Sequence, residues 1–197
     1  MVSRSSIQSE QGKNLPLEDP VGYSDVEKSS SVLSSSGARA LLALAIFGLA
    51  YGADQLVKYL VQKNMELGET ISVIDGVLRW RYILNPGAAF SMGENHTWVF
   101  TIIMCVAAVI CLVSLIRARA TVWVCTLALL LGGILGNLTD RLFRAPGFGV
   151  GHVVDFISVG NFAIFNIADS CICVSMALIV VLVFRGINLD GTREEQN

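Results

Sequence analysis

Four apolar runs limit what this chain can fold into. Residues 40–60, 98–116, 121–142 and 167–184 are each dominated by Ala, Leu, Ile, Val and Phe. A bilayer's hydrocarbon core takes about 20 helical residues to cross, and each run is close to that length. Hydrophobic residues make up 53% of the 197-residue chain and charged residues only 15%. Soluble domains carry about 25% charged residues, so the balance points to a membrane. The expected fold class is an α-helical integral membrane protein with four transmembrane helices.

The polar residues inside this apolar frame are few and clustered. Residues 132–175 hold three aspartates, Asp140, Asp155 and Asp169, with Asn137, Arg141 and Asn166 among them. An Asp costs about 2.5–3.5 kcal/mol at a bilayer centre and less near an interface. Three of them in such company suggest a polar site built inside a membrane protein.

On the first helix, Tyr51, Asp54, Gln55, Lys58 and Gln62 follow the i, i+3, i+4, i+7 spacing of one face. Asp54 and Lys58 are an i, i+4 acid–base pair. Two readings are open. The pair neutralises itself at the helix end with Lys58 reaching the interface, or it turns inward and supports a site. On the third helix Gly133, Asn137, Asp140, Arg141 and Arg144 share a face. Asp140 and Arg141 can be an ion pair anchoring the helix end. Gly132 and Gly136 have the small-xxx-small spacing that permits close helix packing. Asn166, Asp169, Ser170 and Cys173 share a face of the fourth helix.

The connections differ in character. Residues 70–73 and 77–84 are β-branched and aromatic around Asp75-Gly76, a hairpin turn signal. They predict a small sheet lying on the membrane surface, with Trp80 and Tyr82 near the headgroups. Asn85-Pro86-Gly87-Ala88-Ala89-Phe90 then marks a turn. Residues 145–165 read as a Gly-rich loop containing Val154-Asp155-Phe156. Residues 1–37 read as a disordered polar tail, without the basic start and short apolar core of a cleaved signal peptide. Residues 38–187 are the membrane domain, and residues 188–197 a short polar tail.

Several function classes fall away. A net charge of −2 gives no electrostatic case for nucleic acid. There is no Gly-x-Ser-x-Gly elbow, no His-Glu-x-x-His and no phosphate loop. His96 and His152 are the only histidines, and the five cysteines sit in apolar runs as small buried hydrophobes. No metal site and no cofactor are expected. Carboxylates remain. Two aspartates brought together share one proton, because like charges about 3 Å apart cannot both ionise. One can then take a proton from water while the other donates to a carbonyl. Asp155 and Asp169 are the natural pair; alternatively Asp169 pairs with Arg141 or Lys58 and Asp155 caps a turn. A transporter would spread its aspartates through the bilayer depth. A purely structural subunit would leave Asp155 and Asp169 without a purpose.

Five ordered motifs carry a resemblance. They are Asp54-Gln55-Leu56-Val57-Lys58, Asn85-Pro86-Gly87-Ala88-Ala89-Phe90-Ser91, the run from Gly132 through Asn137 to Asp140-Arg141, Val154-Asp155-Phe156, and Phe165-Asn166-Ile167-Ala168-Asp169-Ser170. In this order and on these helices the chain resembles the lipoprotein signal peptidases (signal peptidase II), membrane aspartic peptidases of bacteria. The resemblance implies four helices with a small extracytoplasmic sheet. It implies removal of the signal peptide from diacylglyceryl-modified prolipoproteins, before the lipidated cysteine. It makes Asp155 and Asp169 the catalytic pair, and Asn85, Gly87, Asn137, Arg141 and Asn166 substrate-binding. Asp54, Lys58 and Asp140 become structural support. The expected setting is the bacterial inner membrane, as a monomer among membrane lipids, with both termini cytoplasmic and the active site at the outer leaflet. The short basic connection holding Arg117 and Arg119 favours that orientation.

Overall fold

The computed structural model describes residues 23–87 and 97–193, with side chains from residue 36 onward. The chain divides into two units, Met1–Gly37 and Ala38–Asn197. The elements in order are α1 (Tyr23–Asn64), β1 (Thr70–Ile74), β2 (Leu78–Asn85), α2 (Thr97–Arg117), α3 (Thr121–Phe143), β3 (Val153–Val159) and α4 (Ile167–Phe184). Among the described residues four helical segments are long and apolar enough to cross a membrane: Ser36–Asn64, Thr97–Arg117, Thr121–Phe143 and Ile167–Phe184.

Helix α1 begins at Tyr23, well before the start expected at residue 40. Residues 23–37 are therefore helical where a disordered tail was expected. No Pro or Gly interrupts residues 23–36, and propagating an existing helix costs far less than nucleating one. The first part of the expected tail, residues 1–22, lies outside the described residues. So do residues 88–96, which include the end of the Asn-Pro-Gly motif.

Helix α3 is the centre of the membrane unit. In its most apolar stretch 72% of residues are buried, against 11% for α1 and 17% for α2 and α4. Three helices thus face outward and one is enclosed. Glycines make the enclosure possible. A Cβ on Gly132 would lie 2.8 Å from the Cβ of Ala50 on α1, and one on Gly136 would lie 2.7 Å from Asp54 Oδ2. Gly133 faces the other way, where a Cβ would stand 2.6 Å from the Ala168 carbonyl of α4.

Two apolar clusters anchor the ends. Cys111, Trp123, Leu127, Leu130, Leu131, Ile134 and Leu182 pack between α2, α3 and α4. Val61, Tyr82, Val154 and Phe156 pack where α1 meets the sheet. Tyr82 is buried and accepts from Gln62 Nε2 at 3.3 Å. Trp80 stacks on Phe156 at 5.3 Å. Both rings expected near the headgroups therefore point into the protein, because the sheet packs on α1 and leaves them a dry partner surface.

The sheet has three antiparallel strands in the order β1-β2-β3. The β1–β2 hairpin turns at Asp75-Gly76, where Gly76 has φ of 75°. Strand β3 replaces part of the loop expected over residues 145–165. It pairs Ile83 with Asp155 and Asn85 with Val153, after an irregularity between Trp80 and Ile83. At the far end of the helices the last described residues turn back instead of trailing as a tail. The Leu189 carbonyl accepts from the amides of Arg119 and Ala120 at 2.8 and 3.1 Å, and Trp123 Nε1 donates to the Ile187 carbonyl at 2.8 Å.

Candidate active site

Asp155 owes its position to strand alternation. Val154 and Phe156 turn into the cluster against α1, so Asp155 and Val153 face the opposite way and line a cavity. Asp169 owes its position to a helix start. Asn166 is the N-cap of α4: its Oδ1 accepts from the Asp169 amide at 2.9 Å, and Asp169 Oδ2 accepts from the Asn166 amide at 3.1 Å. This reciprocal capping box satisfies two otherwise orphaned N–H groups. It also fixes the carboxylate at the positive end of the helix dipole.

Three asparagines hold the two carboxylates. Asn85 Nδ2 donates to Asp155 Oδ2 at 2.9 Å, and Asn166 Nδ2 donates to Asp155 Oδ1 at 2.7 Å. Asn137 Nδ2 donates to Asp169 Oδ1 at 2.7 Å. Each of the four carboxylate oxygens thus has a donor. Burial first, then the neighbouring charge of Asp169, pushes Asp155 up to about 7, against the opposing pull of the Asn85 and Asn166 amides and the Lys58 charge.

Arg141 was a candidate partner for Asp140 or Asp169. Instead its Nη1 donates to the carbonyls of Asn85 and Gly151, each at 3.0 Å, and its Nη2 to the carbonyl of Gly87. A planar fork suits several carbonyls at once. The carbonyls come from the turn after β2 and the turn before β3, so Arg141 ties both to α3. Asp140 pairs with Arg144 at 2.5 Å and with Lys58 at 2.8 Å. Lys58 also pairs with Asp54 at 2.8 Å and donates to Asn137 Oδ1 at 2.9 Å. Asp54, Lys58 and Asp140 are all fully buried. The inward reading of the α1 polar face holds: Lys58 does not reach out to an interface, since its three N–H groups have three acceptors inside.

The cavity is about 500 Å³. Its lining combines polar groups, among them Asn85, Arg141, Asp155 and Asp169, with apolar ones, among them Phe162, Ile164, Phe165 and Val174. A lining of both kinds suits a substrate with a peptide part and a greasy part. Asn137 and Asn166 are buried behind the carboxylates and do not line it. Among the described residues no three His, Cys, Asp or Glu side chains converge as a metal site.

Sequence reasoning brought Asn85, Asp155, Asp169 and Arg141 to one place, and the structure does the same. It missed the grip of Asp54 Oδ1 on the Ala168 amide at 2.9 Å and of Asp140 Oδ2 on the Val154 amide at 3.2 Å. The only available signal was that each carboxylate sits in an otherwise apolar stretch with more acceptor capacity than its nearest base can fill. It also missed Gly151, where a Cβ would lie 2.2 Å from the Asp140 carbonyl.

Comparisons with known proteins agree with this architecture. Residues 46–185 match the family profile described as signal peptidase (SPase) II. A lipoprotein signal peptidase of Leifsonia xyli subsp. xyli is 45% identical over 175 residues, covering 85% of this chain and 81% of that protein. One from Streptomyces coelicolor is 49% identical over 154 residues, covering 77% and 74%. Among solved structures, a bacterial membrane enzyme determined by the in meso method at 2.3 Å resolution superposes with a TM-score of 0.64 at 27% identity, covering 82% of this chain and 95% of its own. The profile spans every element of the cavity and the relatives match across most of their length, so the chain belongs to the signal peptidase II family, the lipoprotein signal peptidases.

Proposed function

We propose that Asp155 and Asp169 are the catalytic dyad of an aspartic endopeptidase that cleaves diacylglyceryl-modified prolipoproteins before the lipidated cysteine. The observation that carries this is the double role of Asn166. One residue donates to Asp155 from its side chain and to Asp169 from its backbone, holding both carboxylates in the lining of one cavity. In the dyad the ionised carboxylate takes a proton from the attacking water. The protonated one donates to the scissile carbonyl, and the tetrahedral intermediate then collapses with the proton passing to the leaving amine. A value near 7 for Asp155 suits a group that must both hold and release a proton at neutral pH.

The apolar side chains of the lining, Phe162, Ile164, Phe165 and Val174, give the lipidated end of the substrate a place to lie. Leaving the bilayer costs that substrate about 0.8 kcal/mol per CH₂, so the enzyme brings its carboxylates to the membrane. The site then faces the outer leaflet of the bacterial inner membrane, with both termini in the cytoplasm. Turnover of a purified lipidated precursor by D155N and by D169N tests the dyad. Both variants are expected to be inactive yet folded, since an amide can neither take nor give the required proton. Wild-type turnover by either folded variant would falsify the dyad.

A further inference from the structure

Lys58 is far more elaborately held than a helix-end charge needs to be. Its ammonium has three N–H groups and meets three acceptors: Asp54 Oδ2 at 2.8 Å, Asp140 Oδ2 at 2.8 Å and Asn137 Oδ1 at 2.9 Å. Each acceptor continues outward to the candidate dyad. Asp54 holds the amide of Ala168, the residue before Asp169. Asp140 holds the amide of Val154, the residue before Asp155. Asn137 donates directly to Asp169 Oδ1. The three arms leave one buried nitrogen and end on the two elements, β3 and α4, that carry the aspartates.

We propose that Lys58 is a positioning residue that sets the spacing of Asp155 and Asp169, a role that rests on those two being the catalytic pair. The chemistry requires such a hub. Two carboxylates share a proton only at close range, and these two sit on separate elements joined by the loop between β3 and α4. Lys58 draws the arms to a common point. It also fixes the sense of the Asn137 amide. A donor-only ammonium demands the oxygen on its own side, which turns the nitrogen toward Asp169. Asn166 cannot do this alone. Its Nδ2 has two protons for three acceptors: Asp155 Oδ1 at 2.7 Å, Asn137 Oδ1 at 3.0 Å and the Val154 carbonyl at 3.4 Å.

Two variants of the full-length enzyme in detergent test this. K58R keeps the charge but replaces a point-like ammonium with a longer planar fork. D54N/K58M removes one charge of each sign, leaving the Asp140–Arg144 pair intact, while the D54N amide can still accept from Ala168. If Lys58 only balances charge, folded K58R keeps wild-type kinetics, and folded D54N/K58M, which takes the Lys58 charge away from Asp155, shifts its pH optimum but keeps its maximal kcat. If it positions the dyad, kcat falls by about a hundredfold, as small misplacements of reacting groups do, while KM stays unchanged. The bell-shaped pH profile of kcat also narrows, because carboxylates moved apart repel less and their two apparent pKa values converge. The charged groups around the pair are Asp54 and Lys58 from α1 and Asp140, Arg141 and Arg144 from α3. K58R alters none of their charges, so narrowing there comes from geometry, and partial unfolding lowers the bell without narrowing it. A folded variant with wild-type kcat and bell width overturns the proposal, and so does failure of both variants to fold. D155N and D169N measured alongside separate the two ideas. Turnover by either refutes the dyad itself. Inactive dyad variants beside an unaltered K58R refute only the role of Lys58.

Discussion

The three asparagines around the carboxylates show how a single residue can be read correctly in type and incompletely in role. Asn137 and Asn166 stand out in the sequence as amides among apolar residues, whereas Asn85 reads there as the start of a turn. What each touches depends on elements far away in the chain, and so was not legible. Asp155 carries a consequence for stability. Its ordinary value is about 3.9, and in the fold it stands near 7. Between those values the folded state holds a proton that the unfolded state has lost. Stability therefore falls as pH rises from about 4 to about 7, and is flat above that. D155N removes the liability. The variant offers one acceptor to the two donors Asn85 and Asn166, so its absolute stability shifts at every pH, but its stability is expected to fall less than that of wild type between about pH 4 and about pH 7. Thermal unfolding in detergent at several pH values checks this. An equally steep loss of stability over that pH range in D155N would contradict it.

Arg141 makes a second prediction at this scale. Its fork holds the carbonyls of Asn85, Gly87 and Gly151, and the Asn85 side chain in turn holds Asp155. An ammonium can replace the charge but not three carbonyl contacts in one plane. R141K is expected to lose about tenfold to a hundredfold in kcat/KM, in the range of a misplaced catalytic group. Steady-state kinetics on the lipidated precursor decide it, and unchanged values would mean that the turns stand without the fork.

At the scale of elements, legibility followed exposure. The hairpin was readable because Asp75-Gly76 sits between runs of β-branched and aromatic residues. Helix α4 was readable to the residue, since its apolar run starts at Ile167 and stops at Arg185, although the capping role of Asn166 was not read. Strand β3 was not. Val153 to Phe156 are all buried, so both faces are covered and the alternation that marks a half-exposed strand is missing. The start of α1 was missed because polarity was taken for disorder, although polar residues other than Gly and Pro carry a helix onward at little cost. Helix packing gives a prediction here. At Gly133 a Cβ meets backbone oxygen at 2.6 Å, which cannot swing away, whereas at Gly52 a Cβ meets nothing within 4 Å. G133A is expected to cost about 1–3 kcal/mol by overpacking and to move α4 with Asp169, lowering turnover. G52A is expected to be neutral or slightly stabilising. Equal melting temperatures for the two would show that α3 and α4 can separate without loss.

For the whole molecule, the decisive question is which side of the membrane the cavity faces. The proposed substrate, a lipidated precursor, would present its cleavage site beyond the inner membrane, and the proposal therefore requires the sheet to lie outside. The β1–β2 hairpin joins α1 to the segment leading into α2, and β3 joins α3 to α4. The α2–α3 turn and the folded-back C-terminal segment meet at the opposite end. That turn carries Arg117 and Arg119 within a very short connection, the kind of basic loop retained in the cytoplasm. Asp75, at the tip of the hairpin, and Arg193, at the end of the described chain, are both exposed. They therefore report the two ends separately. In a cysteine-free background, D75C on intact spheroplasts is expected to react with a membrane-impermeant maleimide. R193C is expected to react only after the membrane is opened. Asp75 lies on the sheet that carries Asp155, so its labelling reports the side of the cavity itself. The reverse pattern would put the carboxylates in the cytoplasm, out of reach of a translocated lipoprotein, and the proposed substrate would have to be abandoned whatever the dyad can do.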